Sequence, residues 1–267
     1  MKVGVLGLGI VGLPTALYIA EKNLHVVGYD ISSHAVEKAR ENGLEACLDW
    51  EEMGTCDTYI VCVSTLLKDG SPDFSALFDI SRKLRSQELD RALISIESTV
   101  IPGTCEKFQQ ELGNLELNVV HVPHRYWGKE SVNHGVNQMR VIGAIDEVSL
   151  KKGLKFYKDI LEIPLHIVPS IEVAEMSKAL ENAYRYLLIA FAEESRMICE
   201  DLNLDFDSVR MACNTKWNTE ILEARNGIGG RCLPKDTQYI ISMSPNAQIL
   251  KKAVQVDEKY REWLDTI

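Results

Sequence analysis

The sequence lacks the features of a membrane-spanning or disulfide-stabilised protein. No apolar run reaches about 18 residues, which argues against a transmembrane helix. The first residues carry no cleavage signature of a signal peptide. The seven cysteines include no CxxC pair, so neither a zinc site nor a disulfide framework is indicated. We therefore expect free thiols, no bound metal and a cytoplasmic location, where thiols stay reduced.

Positive charge is scarce as well. The 29 Lys and Arg residues face 39 Asp and Glu residues, which gives a formal net charge of -10. This balance disfavours nonspecific binding to nucleic acid or to anionic membranes, although it allows a local basic pocket for phosphates. The 267 residues, 46% of them apolar, suffice for one or two globular domains with hydrophobic cores.

A dinucleotide-binding signature opens the chain. An apolar strand is predicted over residues 2–7, and a glycine-rich turn, an apolar helix and a second strand over residues 25–30 follow it. In this βαβ context Gly7 permits the turn, Gly9 lets a pyrophosphate approach the backbone, and Gly12 lets the helix pack on the strand. A coincidental tight turn is the alternative. The residues of this turn predicted to bind the cofactor are Gly7, Gly9, Ile10, Val11 and Gly12.

Asp30 ends the second strand, 18 residues after Gly12. At this position a carboxylate can accept hydrogen bonds from the 2′-hydroxyl of a ribose, and it repels a 2′-phosphate. We therefore predict that the chain binds NAD in preference to NADP.

Strands and helices continue to alternate up to residue 168. Further strands are predicted at 58–63, 92–97, 117–122, 138–144 and 164–168, with one helix begun by Ser71-Pro72 and another after Pro102. This alternation predicts an α/β fold of the Rossmann type with a doubly wound parallel sheet.

Polar side chains follow the carboxyl ends of these strands, where ligands of such sheets bind. We expect their hydroxyls and imidazole to face the cofactor, whereas turn formation or helix capping is the alternative for the hydroxyls. The residues are Ser64, Thr65, Ser98, Thr99 and His124.

The pattern changes after Pro169. Ser170 can cap a helix that runs to about Glu200 without proline or glycine and would be about 45 Å long. We therefore predict a Rossmann-type domain over residues 1–169 and a smaller all-helical domain over residues 170–267. A helix of this length can serve both as the core of its domain and as the surface of a homodimer.

Two features of the second domain point to chemistry. Lys178 and Asn182 lie four residues apart, hence on one helix face, where a lysine could polarise a hydroxyl and an amide could hold a substrate oxygen. Cys232 lies among glycines between Arg231 and Lys235, cations that favour a reactive thiolate. A solvated helix face and an inert, buried cysteine are the alternatives. A thiolate that traps an aldehyde lets hydride leave a second time, which suggests oxidation through a thioester.

Four segments together resemble the nucleotide-sugar dehydrogenases of the UDP-glucose/GDP-mannose dehydrogenase family. They are GLGIVGLP, ESTVIPGT, VAEMSKALENAYR and GIGGRCLPKD, in this order. The resemblance covers nearly the whole chain. It implies an NAD-dependent, two-step oxidation of the C6 hydroxymethyl group of a nucleotide sugar to a carboxylate, with release of two NADH.

The resemblance also implies roles for individual residues. Cys232 becomes the nucleophile, Lys178 stabilises the developing oxyanion, and Asn182 positions the substrate. Asp236 orients a water or acts as a base through it, and Thr99 steadies that water or the cofactor. The other residues expected to bind substrate are His124, Arg125, Tyr126, Gly229 and Gly230.

The chain departs from the family pattern at three places. His124 stands where the family commonly has a glutamate after a proline; it could replace that glutamate as a general base, bind a phosphate or a sugar hydroxyl, or fill space. Residues 63–66 lack the usual prolines. The sequence stops at Ile267, about where the family's third, nucleotide-binding domain would begin, so we expect a short form whose substrate site a second chain could complete.

Two other functions stay open on the sequence. A non-catalytic NAD-binding subunit of a full-length dehydrogenase would account for the missing domain and the missing glutamate. A β-hydroxyacid dehydrogenase shares the Lys-x3-Asn pattern after a Rossmann domain, but it transfers a single hydride and needs no thiol.

Overall fold

The computed structural model describes residues 1–87, 89–113, 116–127 and 135–266, so Ile267 lies outside the described residues. The chain divides into two compact units, residues 1–66 with 73–178 and residues 67–72 with 179–267. The predicted domain boundary between residues 169 and 170 stays a prediction. Within the described ranges, no helix combines the length and the apolar character needed to cross a membrane.

Ten strands form two sheets within the described residues. The strands are β1 (Lys2–Leu6), β2 (His25–Tyr29), β3 (Glu45–Cys47), β4 (Thr58–Val61), β5 (Leu66–Lys68), β6 (Ser71–Asp73), β7 (Leu93–Ile96), β8 (Asn118–His121), β9 (Arg140–Ala144) and β10 (Leu165–Ile167). Eight of them form the main sheet in the order β10-β9-β8-β7-β4-β1-β2-β3, and β5 pairs with β6. The predicted Rossmann-type α/β fold is confirmed.

The main sheet is parallel except at one pair of strands. β8 and β9 are antiparallel, with Val120 opposite Ala144, while β9 and β10 are parallel to each other. The predicted doubly wound parallel sheet is thus confirmed, with this pair as the one antiparallel exception among the described strands of the main sheet. A parallel pair needs a crossover connection, usually a helix, whereas an antiparallel pair does not. Residues 122–127 and 135–139, the described parts of the connection, contain no helix.

Six α-helices accompany the main sheet within the described part of the first unit. They are α1 (Gly12–Glu21), α2 (Ser33–Glu41), α3 (Trp50–Met53), α4 (Ser75–Arg85), α5 (Thr104–Leu112) and α6 (Glu147–Leu154), and a π-helical segment, Lys155–Ile160, continues α6. The helix after Pro102 is confirmed as α5. The helix predicted to begin at Ser71-Pro72 begins at Ser75 instead. Ser71 and Pro72 belong to β6, and the carboxylate of Asp73 accepts the Ser75 N–H at 2.9 Å.

The core of the first unit lies on both faces of the main sheet. Neighbouring residues of β1 point to opposite faces: Val5 packs in the cluster with Ile19 of α1, and Leu6 packs in the cluster with Phe108 of α5. Burial on both faces explains why the central strands are continuous apolar runs. It also leaves the strand ends as the place where polar residues of this unit can meet a ligand.

Apart from residues 67–72, which belong largely to β5 and β6, the regular elements in the described part of the second unit are helices. The chain continues with α7 (Ile171–Asp201), α8 (Phe206–Cys213), α9 (Cys232–Met243) and α10 (Gln248–Leu264), and residues 179–201 of α7 belong to this unit. The predicted long helix over residues 170–200 is thus confirmed as α7. A small buried cluster joins α7, α10 and the segment before α9: Tyr186, Ala190, Ala253 and Ile228.

Candidate functional site

The glycine-rich turn between β1 and α1 needs two of its glycines for steric reasons. Gly7 has a φ of +93°, and a Cβ there would lie 2.7 Å from the carbonyl oxygen of Cys62. A Cβ on Gly12 would lie 1.7 Å from the carbonyl oxygen of Gly7. Gly9 faces open space, with no other described residue within 4 Å of its Cβ position. The turn therefore exposes backbone at Gly9 beside the N-terminus of α1, an arrangement that fits a pyrophosphate.

Asp30, which follows β2, also holds the glycine-rich turn in place. Its Oδ2 accepts a hydrogen bond from the Leu8 N–H at 2.7 Å, and its Oδ1 accepts one from the Ser32 N–H at 2.8 Å. A carboxylate has about four acceptor sites, so both oxygens can still bind a ribose hydroxyl.

A cavity of about 460 Å³ lies at this turn. Ile31, which lines it, and Ile10 of the turn are 84% and 81% exposed, so two large apolar side chains can cover a flat, apolar group such as a base. Four of the predicted cofactor-binding residues line the cavity: Gly7, Gly9, Asp30 and Ser64. The remaining six do not line it, and their contacts with the cofactor stay predictions: Ile10, Val11, Gly12, Thr65, Ser98 and Thr99.

Thr65 and Ser98 use their hydroxyls to link the segments that follow two strands. Thr65 Oγ1 donates to the Thr99 carbonyl at 2.9 Å, and Ser98 Oγ donates to the Val63 carbonyl at 2.7 Å. Both residues are buried. The Thr65 bond spans 34 residues and the Ser98 bond spans 35, so neither is a turn or a helix cap, and cofactor contacts of both hydroxyls stay predictions. Their effect is to hold Thr99 in place after β7.

A buried ion pair lies beside these strand ends. Glu97, which follows β7, accepts hydrogen bonds on Oε1 from Arg140 Nη1 at 2.8 Å and from the Tyr157 hydroxyl at 2.6 Å. The side chains of Glu97 and Arg140 are fully buried. Burial by itself raises the pKa of Glu97, but the Arg140 charge and then His124 lower it to about 2. Glu97 is therefore an anion at neutral pH that neutralises Arg140.

His124 joins this buried ion pair. Its Nε2 lies 3.1 Å from Glu97 Oε2, and its Nδ1 accepts the Tyr126 N–H at 3.2 Å. The same Nε2 also lies 2.8 Å from Thr15 Oγ1 and 2.9 Å from Arg140 Nη2, and the direction of these hydrogen bonds depends on the tautomer of the ring. Burial, and then the Arg140 charge, lower the pKa of His124 to about 4. At neutral pH the ring is therefore buried and neutral, and the roles predicted for His124 as a general base or in substrate binding stay predictions.

Arg125 and Tyr126 have partners within the first unit. Arg125 Nη1 donates to the Met139 carbonyl at 2.9 Å, and Gln138 Nε2 donates to the Arg125 carbonyl at 2.8 Å. Tyr126 packs against the core with its ring edge toward His124, 6.0 Å between centroids. Substrate contacts of Arg125 and Tyr126 stay predictions.

The start of α7 is fixed by a buried carboxylate. Glu175 accepts the N–H groups of Gly103 and Cys105, both at 2.7 Å, and so caps the N-terminus of α5. Burial raises the pKa of Glu175. Lys178 follows three residues later, and its charge is one of the causes that lower the pKa of His124. The predicted lysine thus lies within electrostatic range of the buried ion pair.

In the second unit, Cys232 is exposed and is the first residue of α9. Asp236 lies one turn later on the same helix and is buried. Its Oδ2 accepts a hydrogen bond from Asn182 Nδ2 at 2.5 Å, and its Oδ1 pairs with Lys235 Nζ at 2.5 Å. Lys235 Nζ also lies 4.2 Å from the ring centroid of Tyr239. The structure thus brings the predicted residues Asn182 and Asp236 together and anchors the carboxylate by two partners.

Gly229 and Gly230 are exposed just before α9. Gly230 has a φ of +82°, a backbone conformation that favours glycine. Near Gly229 and Gly230, no other described residue comes within 4 Å of the Cβ positions. Crowding by the chain therefore does not explain Gly229, whereas open space at both residues fits a close approach by substrate.

Sequence reasoning missed the partners that hold these residues. Arg140 and Glu97 each interrupt an otherwise apolar strand segment, and a charge in a buried strand was the signal that could have found them. Glu175 lies in the segment that carries Lys178, but the sequence offered no indication that it caps α5.

Both parts of the chain match models of one protein family. Residues 172–259 match the UDP-glucose/GDP-mannose dehydrogenase family, central domain. Residues 1–47 and 35–161 match the NAD binding domain of the same family. The chain belongs to the UDP-glucose/GDP-mannose dehydrogenase family. This membership confirms NAD as the cofactor of its N-terminal part.

Curated relatives and solved structures of this family agree. UDP-N-acetyl-D-mannosamine dehydrogenase of Pyrococcus horikoshii is 31% identical over 271 residues, covering 91% of this chain and 64% of the relative. The enzyme of the same name from Escherichia coli is 28% identical over 296 residues, and the match covers 98% of this chain and 70% of that relative. The Pyrococcus horikoshii structure superposes with a TM-score of 0.86 at 29% identity, covering 97% of this chain and 69% of that one. The structure of a UDP-glucose dehydrogenase from Pyrobaculum islandicum superposes with a TM-score of 0.83 at 27% identity. The match covers 97% of this chain and 68% of that one. The chain thus spans 64% of the first curated relative's length.

Proposed function

We propose that the chain oxidises the C6 hydroxymethyl group of a nucleotide sugar to a carboxylate, with NAD as oxidant and Cys232 as covalent nucleophile. The observation that carries this proposal is the start of α9, where an exposed thiol shares a helix with a buried aspartate bound to Asn182 and Lys235. The substrate class follows relatives named UDP-N-acetyl-D-mannosamine dehydrogenase. The proposal includes a second chain that completes the sugar-nucleotide site.

In this proposal residues 1–169 form the NAD-binding domain and residues 170–267 the helical domain. The bare backbone at Gly9 accepts the pyrophosphate, and Asp30 accepts the ribose hydroxyls. Bound NAD supplies a hydride acceptor for each oxidation step. The other residues assigned to the cofactor are Gly7, Ile10, Val11, Gly12, Ser64, Thr65, Ser98 and Thr99.

The first oxidation removes a proton from O6 and a hydride from C6, which leaves an aldehyde. The Cys232 thiolate then adds to the aldehyde carbon, forming a C–S bond and an oxyanion. Lys178 stabilises that oxyanion, and Asn182 positions the substrate. Loss of a second hydride from the same carbon gives the thioester.

Water completes the reaction by attack on the thioester carbon, which breaks the C–S bond and releases the carboxylate and the thiolate. We assign the base for this step to Asp236 acting through a water, with Thr99 steadying it. The remaining residues assigned to substrate binding are His124, Arg125, Tyr126, Gly229 and Gly230.

The number of NADH molecules formed per sugar tests the proposed function. The purified chain with NAD and limiting UDP-N-acetyl-D-mannosamine or another nucleotide sugar should give two NADH and one acid. One NADH per sugar would instead indicate a β-hydroxyacid-type dehydrogenase. NAD binding with no NADH would indicate a non-catalytic subunit.

Replacing Asp30 by serine should weaken NAD binding and narrow the preference for NAD over NADP. The carboxylate both repels a 2′-phosphate and accepts the Leu8 N–H, so its loss removes a hydrogen bond from the glycine-rich turn as well. A loss of about tenfold in NAD affinity is expected from one charge-assisted hydrogen bond. Calorimetry with both cofactors measures this. Asp146→Ser, at an aspartate that caps α6 outside the cavity, is the control; tighter NADP binding by the unmodified chain would refute the assignment.

We also propose a cytoplasmic homodimer formed through α7. Three large apolar side chains of α7 are spaced by seven residues and exposed, at 62% for Tyr184, 52% for Phe191 and 51% for Ile198. A seven-residue apolar repeat is typical of helix pairing. The cytoplasmic location is supported separately by the seven cysteines, all of which are free, as expected in a reducing compartment. Light scattering should report a dimer at micromolar concentration, and Phe191→Glu should dissociate it; a stable unmodified monomer would count against the interface.

A further inference from the structure

The segment that leads to Cys232 has one well-anchored residue, Ile228. Its side chain is buried against Tyr186 and Ala190 of α7 and Ala253 of α10. Residues 224–230 belong to no helix or strand, and Gly229 and Gly230 beyond it are exposed. Ile228 is therefore the last buried residue before the thiol, four residues ahead of it.

Two side chains of α10 hold both backbone groups of Ile228. Asp257 Oδ1 accepts its N–H at 2.7 Å, and Arg261 Nη2 donates to its carbonyl at 2.5 Å. Asp257 and Arg261 are joined to each other, with Arg261 Nε 3.1 and 3.2 Å from the two carboxylate oxygens. The Tyr186 hydroxyl donates to Asp257 Oδ2 at 3.1 Å, which fixes the carboxylate from α7 as well.

The residue before Ile228 fits against the same arginine. Gly227 has a φ of +81°, and a Cβ there would lie 2.9 Å from three atoms of the Arg261 side chain. Only glycine therefore lets the arginine cross the backbone and reach the Ile228 carbonyl. Further back, the buried Tyr260 hydroxyl donates to the Arg225 carbonyl at 2.7 Å.

We propose that Asp257 and Arg261 are positioning residues for the reaction: they fix Ile228 and, through it, the place of Cys232 at the start of α9. This inference rests on the proposed function of Cys232. Asp257 and Arg261 act through the backbone of Ile228 rather than on substrate. A nucleophile displaced by about 1 Å can cost about 10²-fold in rate, so the geometry of this segment matters to catalysis.

The test compares Arg261→Gln with Arg210→Gln in the full chain. Arg210 forms an ion pair with Asp207 on α8 at 3.1 Å, which matches the Arg261–Asp257 pair in kind but does not touch the cysteine segment. Arg261→Gln should lower kcat by about 10²-fold and leave the KM for NAD unchanged, whereas Arg210→Gln should leave both unchanged. Arg261→Lys keeps the charge but not the planar fork that joins Asp257 to the Ile228 carbonyl, so it should not restore kcat.

Two measurements do not depend on enzyme activity. They distinguish a positioning role of Arg261 from a general effect on stability, and they test that role even if the proposed function is wrong. Hydrogen exchange at the Ile228 amide should accelerate about tenfold in folded Arg261→Gln, as expected for one weakened charge-assisted hydrogen bond. Alkylation of Cys232 by iodoacetamide, followed on its peptide by mass spectrometry, should slow several-fold. Unchanged exchange and alkylation would overturn the positioning role even in an active enzyme. If the unmodified chain lacks dehydrogenase activity, the proposed function fails, and exchange and alkylation still decide the role of Arg261.

Discussion

Replacing Cys232 by serine should abolish conversion of a nucleotide sugar to its uronic acid, with a loss in kcat on the order of 10³-fold or more. A serine hydroxyl is far less ionised than a thiol, so its addition to the aldehyde is slow, and an ester hydrolyses less readily than a thioester. Losses after removal of a covalent nucleophile reach about 10⁶-fold in other enzymes. Because the side chain is exposed at the start of α9, the change should leave folding and NAD binding intact.

The yield of NADH and the mass of the protein measure this effect. The unmodified chain should form two NADH per sugar. The Asp236→Asn variant, in which hydrolysis of the thioester is slowed, should accumulate an adduct on Cys232. Cys213→Ser is the matched control, because Cys213 is also exposed but ends α8, away from the glycine-rich segment. Full production of uronic acid by Cys232→Ser would show that the covalent mechanism is wrong for this protein.

Local sequence signals were sufficient for the cofactor-binding half of the fold. Gly7 and Gly12 are required by contacts with residues a few positions away or on the neighbouring strand, and Asp30 follows the second strand as the spacing predicts. The antiparallel orientation of β9 relative to β8 could not be predicted from local sequence signals. Its sequence is as apolar as that of a parallel strand, and strand direction depends on the connection before it.

The partners of the reactive residues were beyond sequence reasoning because they are distant along the chain. Asn182 and Asp236 are 54 residues apart, and Glu97 and Arg140 are 43 apart. A single sequence does not show which of its 68 charged Lys, Arg, Asp and Glu side chains meet. His124 illustrates the consequence: the sequence did not show that its ring is buried beside Arg140 and Glu97, where burial and the Arg140 charge keep it neutral while Glu97 acts in the opposite direction.

Glu193 on α7 is the buried group whose ionisation should affect stability most. It is fully buried, and neither of its carboxyl oxygens has a hydrogen-bond partner among the described residues. Burial, and then the negative charge of Asp257, raise the pKa of Glu193 from 4.5 to about 8, while Arg261 acts in the opposite direction. The phenol groups of Tyr186 and Tyr260 also lie within its electrostatic range. Glu193 is therefore uncharged in the folded chain at neutral pH.

Glu193→Gln should stabilise the chain increasingly as the pH rises from about 5 to 9. Between pH 4.5 and about 8 the folded chain keeps a proton on Glu193 that the unfolded chain has released, so the stability of the unmodified protein falls across this window. Glutamine does not titrate, and its amide can donate a hydrogen bond toward Asp257. At about 1.4 kcal/mol per pKa unit, the difference should reach the order of 5 kcal/mol above pH 8, or several degrees in Tm.

Thermal unfolding at fixed protein concentration, at pH 5, 7 and 9, measures the Tm difference between the two proteins. Burial lowers the pKa of His121 and of His124 to about 4, so these rings impose the opposite trend at acidic pH, but they are present in both proteins and cancel in the difference. Glu194→Gln removes the same charge from the exposed neighbouring position and should show no comparable rise. A difference between Glu193→Gln and the unmodified chain that stays constant from pH 5 to 9 would mean that Glu193 is already ionised in the folded state. In that case a partner must neutralise it beside Asp257.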